Sequence, residues 1–120
     1  FNSFENGQQT FFGEEFDELK KNMKGAETND EFDIVLVNGK SLGIVEVKYK
    51  GRLDNLPQVI KKAQTFRLNF PKYKNHQIYL ALAAMVFTQR VEDECRRQGV
   101  AIIKQQGDSV VINDKYLKAF

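Results

Sequence analysis

The sequence predicts one α/β domain, in which a mixed sheet of about four or five strands is covered by helices on both faces. Three observations favour this fold class. The segment 31–50 contains two apolar stretches joined at Asn38-Gly39, a strong hairpin signal. The segment 78–87 is an almost continuous apolar run, which is typical of a strand buried on both faces. Helical patterns lie before and after this run, so strands and helices alternate along the chain.

The hairpin of residues 31–50 carries three charged residues that we expect to share one side. With a two-residue loop, Asp33 pairs with Ile44 and Glu46 lies on the next diagonal, so both acids and Lys48 project from the same face. A four-residue loop preserves this result and places Asp33 opposite Glu46, whereas a three-residue loop or a bulge destroys it. The predicted opposite face carries Phe32, Ile34, Leu36, Val45, Val47 and Tyr49.

These three charges would converge on a largely apolar face at the end of the hairpin away from its turn. Burial of an unpaired carboxylate is unfavourable, and two close carboxylates repel each other. A divalent cation between Asp33 and Glu46, with Lys48 beside it, would relieve both costs. The residues alone therefore predict a metal site next to a lysine. The alternative is that all three side chains are solvated and have no function, and a second Glu-x-Lys triplet at residues 18–20 shows how common that pattern is.

Asp33, followed a dozen residues later by Glu46-Val47-Lys48, resembles the core motif of the PD-(D/E)XK nuclease superfamily. The resemblance covers most of the chain, because the following order of helix, buried strand, helix and final strands is similar to that fold. Phe32 departs from the proline in the family name. The segments EFDIVLVNG, VEVK and FPKY are similar to those of uncharacterised nuclease-like domains that follow a coiled coil in prokaryotic proteins.

The resemblance implies a restriction-endonuclease-like three-layer sandwich that hydrolyses phosphodiester bonds of nucleic acid, with DNA as the expected partner. It implies Mg²⁺ or Mn²⁺ as cofactor, held by Asp33, Glu46 and the backbone carbonyl of Val47. Lys48 would complete the catalytic set by orienting water or stabilising the transition state. The alternative is an inactive module of the same fold that binds nucleic acid or protein. A homodimer is compatible with the resemblance, and DNA versus RNA and endo- versus exonuclease action stay open.

The segment before the hairpin is predicted to contain a helix that ends at Gly25. Its apolar residues at helical spacing are Phe12, Phe16, Leu19 and Met23. The family commonly supplies a further acid from a helix in this place, and Glu15, which borders the stripe, is the candidate metal ligand. In the alternative interpretation the helix ends near Gly7, and the acid is Glu5 or lies upstream of Phe1. The chain begins without a methionine, so we expect a piece of a longer protein.

The segment after the hairpin is predicted to form a helix that Pro71 ends. Asn55 and Gln58 have the form of a capping box, and Pro57 lies in the first turn, where proline is tolerated. The predicted buried stripe contains Leu56, Val59, Ile60, Ala63, Phe66 and Phe70. In many related nucleases this helix supplies a Gln or Lys that contacts phosphate or orients water. Gln58 and Lys62 are therefore the candidate nucleic-acid-binding residues.

The remaining chain is predicted to form a strand at 78–87, a helix capped by Thr88 and ended by Gly99, and a closing hairpin. Cys95 is expected in the core, and His76 on the surface rather than as a catalytic base. With one cysteine and one histidine, the chain has neither an intramolecular disulfide nor a zinc site. The net charge of +2 permits nucleic acid as a partner. No membrane span or signal peptide is visible, so a cytoplasmic location is predicted.

Overall fold

A six-stranded sheet forms the centre of the computed structural model, which describes residues 10–120. The sheet has the order β3-β4-β5-β6-β7-β8, and β1 and β2 form a separate two-stranded ribbon. The strands are β1 (Thr10–Phe11), β2 (Glu14–Glu15), β3 (Glu18–Lys24), β4 (Glu31–Val37), β5 (Ser41–Lys50), β6 (Gln77–Val86), β7 (Ala101–Gln106) and β8 (Ser109–Asn113). The helices are α1 (Asn55–Asn69), a 3₁₀ turn (Pro71–Tyr73) and α2 (Gln89–Gln98).

The sheet is mixed, as predicted, but residues 10–120 contribute six strands to it instead of the expected four or five. The pairs β3-β4, β4-β5 and β7-β8 are antiparallel, whereas β5-β6 and β6-β7 are parallel. Each parallel connection passes through a helix, α1 between β5 and β6 and α2 between β6 and β7. The carboxyl ends of β5, β6 and β7 therefore lie at one edge of the sheet. This edge carries the candidate site.

The edge strand β3 occupies the segment where the sequence pattern predicted a helix, so that prediction is wrong. Residues four apart share a face in a regular strand, yet Leu19 packs on the aromatic N-terminal side and Met23 on the helix side. Between them, Asn22 has a φ of 53°, a left-handed conformation that asparagine tolerates. Because of this irregularity, the Met23 side chain lies on the opposite face from the one that a regular strand would give it. The apolar spacing that imitates a helix comes from a strand that contacts both layers.

Both α-helices of the described chain, residues 10–120, pack on the same face of the sheet, so the prediction of helices on both faces is wrong. The core on the helix side includes Phe32, Val35, Ile44, Leu56, Phe66, Leu80, Leu82, Val91, Cys95 and Ile102. The other face is covered by Phe11, Phe12 and Phe16. Small residues on that face admit the rings, since a Cβ added at Gly43 would lie 2.8 Å from the Phe12 ring. The alternation of leucine and alanine in β6 thus reflects two different layers.

Four residues, 38–41, separate the last paired positions of β4 and β5, instead of the two residues that Asn38-Gly39 predicted. Val37 pairs with Leu42, and the Asn38 side-chain oxygen accepts hydrogen bonds from the N–H groups of Lys40 and Ser41 at 2.9 and 2.7 Å. Gly39 does not take the positive φ that a two-residue type I′ turn requires. Because the loop length remains even, the faces of the hairpin keep the predicted assignment along most of β4. Phe32 is the exception, since its ring packs on the helix side, 5.0 Å from the Phe66 ring.

The predictions for the second half of the chain agree with the structure in outline. Thr88 caps α2 by accepting a hydrogen bond from the Val91 N–H at 3.3 Å, and Gly99 ends it with a φ of 79°. Cys95 is fully buried, as expected. The capping box at the start of α1 does not form, because the Asn55 side chain accepts from the Arg52 N–H at 2.8 Å. No helix within residues 10–120 is long and apolar enough to cross a bilayer.

Glu14 attaches the β1–β2 ribbon to the β4–β5 turn. Its carboxylate accepts hydrogen bonds from the Asn38 amide at 3.1 Å and from the Ser41 hydroxyl at 2.9 Å. Burial opposes the ionised form, but hydrogen bonds from Asn38, Ser41 and Tyr79 outweigh it and lower the pKa of Glu14 below 4.5. The ionised carboxylate therefore helps to hold the aromatic cover on its face of the sheet.

We expect Glu14→Gln to lower the free energy of unfolding by about 1 kcal/mol near neutral pH, because charge-assisted hydrogen bonds are lost at a partly solvated position. The folded-state pKa is lowered, so this contribution is complete above pH 4.5 and disappears as the pH falls through the folded-state pKa. Urea denaturation at about pH 7 and about pH 3 measures the difference. Glu27→Gln, at an exposed acid, is the control. A stability difference that stays the same at both pH values would contradict the prediction.

Candidate metal and catalytic site

Asp33 and Glu46 meet at the end of the β4–β5 hairpin away from its turn. The ladder between β4 and β5 ends at the pair of Ile34 and Val45, and Asp33 and Glu46 are the next residues of the two strands, with side chains that interact. The Asp33 carboxylate accepts a hydrogen bond from the Val47 N–H at 2.9 Å, which holds it against β5. A backbone donor thus fixes the position of one acid next to the other.

Glu46 is only 8% exposed and lies between three charged groups. The Lys62 ammonium, from α1, donates hydrogen bonds to Glu46 Oε2 and, at 2.5 Å, to the backbone carbonyl of Glu31. Lys48 Nζ lies 3.9 Å from Glu46 Oε1. Burial raises the pKa of the Glu46 carboxyl; the Lys62 ammonium opposes this rise, and the Asp33 carboxylate adds to it. Positive charge nearby therefore favours the ionised form of Glu46.

The donor set is chemically suited to a hard divalent cation. Asp33 and Glu46 offer carboxylate oxygens, and Mg²⁺ is commonly held by one or two carboxylates with water in its other positions. Within residues 10–120, no group of three or more His, Cys, Asp or Glu side chains is arranged to hold a metal. The two carboxylates are donors of the kind that Mg²⁺ and Mn²⁺ prefer, and the nitrogen and sulfur ligands typical of zinc are not among them.

Two lysines reach Glu46 from different directions. The Lys48 side chain is 39% exposed, so its ammonium lies between the acid and solvent. The Lys62 side chain is only 16% exposed, and its ammonium lies 5.7 Å from the centre of the Phe32 ring. Lys48 is therefore accessible from solvent, whereas Lys62 is largely enclosed.

The expected nucleic-acid residues Gln58 and Lys62 occupy successive turns of α1. Both line a cleft of about 280 Å³ beside the site, together with Asp30, Lys61 and Thr65. Gln58 is exposed there. The contact between Lys62 and Glu46 was missed by sequence reasoning, and the available signal was the position of Lys62 next to Ala63 in the buried stripe of the helix.

Glu15 is not brought to this site. It lies in β2, and its backbone carbonyl accepts a hydrogen bond from the Asn38 amide at 2.8 Å, so it lies near the turn, at the opposite end of the hairpin from Asp33. Glu15 does not lie on the helix that the sequence predicted. The reason for expecting its carboxylate beside Asp33 and Glu46 is therefore lost. The alternative acid, Glu5, lies outside the described residues. His76 also lies near the turn, with its ring 2.9 Å from the Asn38 carbonyl oxygen.

Comparison with known proteins identifies the fold. No protein-family model matches the chain, and no curated protein matches it. Among solved structures, the chain is similar to the crystal structure of a repair endonuclease from Pyrococcus abyssi, with a TM-score of 0.57 and 14% sequence identity. The similarity covers 78% of this chain and 40% of the endonuclease chain, so this chain spans less than half of that protein. At this identity the match shows a nuclease-like α/β fold.

Proposed function

We propose that the chain is a metal-dependent nuclease domain that hydrolyses phosphodiester bonds of nucleic acid, with DNA as the expected substrate. The observation that carries the proposal is the buried Glu46 carboxylate, which has Asp33 beside it and the accessible Lys48 ammonium 3.9 Å away. The nuclease-like fold shared with a repair endonuclease supports the same conclusion.

In this mechanism Asp33, Glu46 and the backbone carbonyl of Val47 would hold Mg²⁺ or Mn²⁺. A bound ion of this kind supplies a lowered pKa for the attacking water and neutralises charge on the phosphate. Asp33 is kept in position by the Val47 N–H. Lys48 offers an ammonium with three donors, which would orient the attacking water and stabilise the negative charge that develops on the phosphate oxygens.

Removal of the metal is the direct test. We expect cleavage of DNA in the presence of Mg²⁺ or Mn²⁺, and its loss when EDTA is added. Asp33→Asn should reduce the cleavage rate at a fixed metal concentration, because one of the two anionic ligands is lost. Asp108→Asn changes an exposed acid in the β7–β8 turn and is the matched control. Cleavage that is insensitive to EDTA, or equal in Asp33→Asn and wild type, would refute the proposal.

A second candidate is a binding module on the same fold that does not cleave its ligand. The observation that favours it is the Lys62 ammonium, because a cation of the chain itself lies against Glu46. Such a module would bind nucleic acid equally well with EDTA and with Mg²⁺, and it would leave the strand intact. A gel-shift assay and a cleavage assay on the same labelled strand separate the two functions.

A further inference from the structure

Two exposed apolar side chains lie side by side at the carboxyl ends of β5 and β6. Lys48 pairs with Ala84 and Lys50 with Val86, so Tyr49 lies beside Met85. Tyr49 is 77% exposed and Met85 is 52% exposed. Both project from the face opposite the helices, because side chains alternate along a strand and Lys48 lies on the helix side with Glu46.

Neither Tyr49 nor Met85 belongs to the hydrophobic core. On the same face, the rings of Phe11, Phe12 and Phe16 cover the sheet, and Ala83 and the partly buried Val47 are the last covered positions of β6 and β5. Tyr49 and Met85 lie beyond that cover. Within residues 10–120, no side chain forms a hydrogen bond with the Tyr49 hydroxyl and no ring packs against it. Contiguous exposed apolar side chains are one mark of a binding surface.

The charges of the segment 48–54, which contains Tyr49, favour a polyanion as the ligand. Lys50 and Arg52 are exposed, and Lys48 precedes Tyr49, whereas Asp54 is the single acid of the segment 48–54. An aromatic ring together with cations is the combination with which proteins bind single-stranded nucleic acid, the bases stacking on the ring and the phosphates contacting the cations. Here Lys48 and Lys50 lie on the helix side of β5, on the other face from the Tyr49 ring. A purely apolar partner would gain nothing from these charges.

Lys48 and Tyr49 lie on opposite faces of the sheet, which favours single-stranded over duplex nucleic acid as the ligand. Lys48 and Tyr49 are consecutive, with Cα atoms about 3.8 Å apart, yet their side chains lie on opposite faces of the sheet. A ligand that contacts both must pass around the carboxyl end of β5, at the edge of the sheet. The bases of a duplex are paired and stacked on one another, so only an unpaired strand can place a base on the Tyr49 ring while its backbone passes Lys48.

We propose that Tyr49 and Met85 form a stacking platform for the bases of a single-stranded nucleic acid that crosses this edge with a phosphate beside Lys48. The substrate class of the site is then single-stranded DNA or RNA, or a single-stranded end. The position of the phosphate rests on the proposed nuclease function. The stacking platform requires only that the protein binds a single strand, and it does not require cleavage.

The chain contains no tryptophan, so Tyr49→Trp introduces a single fluorescent reporter. We expect oligothymidylate and oligouridylate, added in EDTA, to quench this emission with saturation, and a blunt DNA hairpin to have little effect. Tyr116→Trp is the matched control, because Tyr116 is 56% exposed and Lys115 lies 5.5 Å from its ring. The tail that carries it contacts Gly99 and Ile78, near the amino ends of β7 and β6, so its emission should not respond.

Tyr49→Ala should weaken binding of the single strand by about 10-fold or more, because the ring on which a base stacks is lost. The platform is refuted by an unchanged affinity in Tyr49→Ala, or by a hairpin that binds as tightly as the single strand. Emission of Tyr49→Trp that depends on protein concentration without nucleic acid would show a second copy of the chain as the occupant, and would refute it too. Binding without Mg²⁺-dependent cleavage would refute the nuclease and leave the platform intact. Mg²⁺-dependent cleavage together with an unchanged affinity of Tyr49→Ala would refute the platform and leave the nuclease function intact.

Discussion

Lys48→Ala is expected to reduce Mg²⁺-dependent cleavage by about 100-fold or more, because removal of one positioned donor to a developing charge typically has an effect of this size. The Lys48 ammonium is the accessible cation of the pair around Glu46, and it lies 3.9 Å from that carboxylate. The loss should appear mainly in kcat, since the transition state carries more negative charge near this group than the bound substrate does.

The fold should tolerate this substitution, which separates catalysis from stability. The Lys48 side chain is 39% exposed, and a partly solvated ion pair at 3.9 Å contributes at most about 1 kcal/mol. Lys40→Ala, at an exposed lysine in the β4–β5 turn, is the control for a change in net charge. Single-turnover cleavage and thermal unfolding of the three proteins measure both effects. Equal cleavage by wild type and Lys48→Ala would exclude Lys48 from the chemistry.

The hairpin and the strands after it could be predicted because their signals are local. The alternation of apolar residues, the run in β6 and the caps of α2 each depend on neighbours in the sequence. The proximity of Asp33 and Glu46 followed from the period of a strand together with an even loop. Asn38 formed a different turn from the predicted one, but a four-residue loop retains the same faces.

The errors arose where tertiary contacts decide the structure. Leu19 and Met23 have helical spacing, but the left-handed Asn22 between them lets one strand contact two layers. No local pattern announces such a reversal. Similarly, the cover of three phenylalanines on one face replaces the helices predicted there, and it fits only because Gly43 leaves room for the Phe12 ring.

The contact of Lys62 with Glu46 was also missed because tertiary packing decides it. It depends on how α1 crosses β5, which neither segment encodes alone. The sequence predicted that Lys62 contacts phosphate or orients the attacking water. In the structure its ammonium lies against Glu46, the Glu31 carbonyl and the Phe32 ring. This position makes Lys62 an internal counter-ion for the acidic pair.

We therefore expect Lys62→Met to lower the free energy of unfolding by about 2–4 kcal/mol in EDTA, because it leaves a buried carboxylate without its closest cation. Met keeps the length and apolar volume of the side chain, so the effect reports the charge. Lys61→Met, at the exposed neighbouring lysine, should change stability by less than about 0.5 kcal/mol. Chemical denaturation of both variants and the wild type measures the difference.

The origin of the loss can be assigned with a second substitution. When Glu46→Gln is already present, Lys62→Met should have a much smaller effect, and the difference between the two measurements gives the coupling between the residues. Mg²⁺ should also stabilise Lys62→Met more than wild type, because the ion supplies the positive charge that the ammonium supplied before. If Lys62→Met were as stable as wild type in EDTA, Glu46 would not need a counter-ion, and the electrostatic basis of the metal site would fail with it.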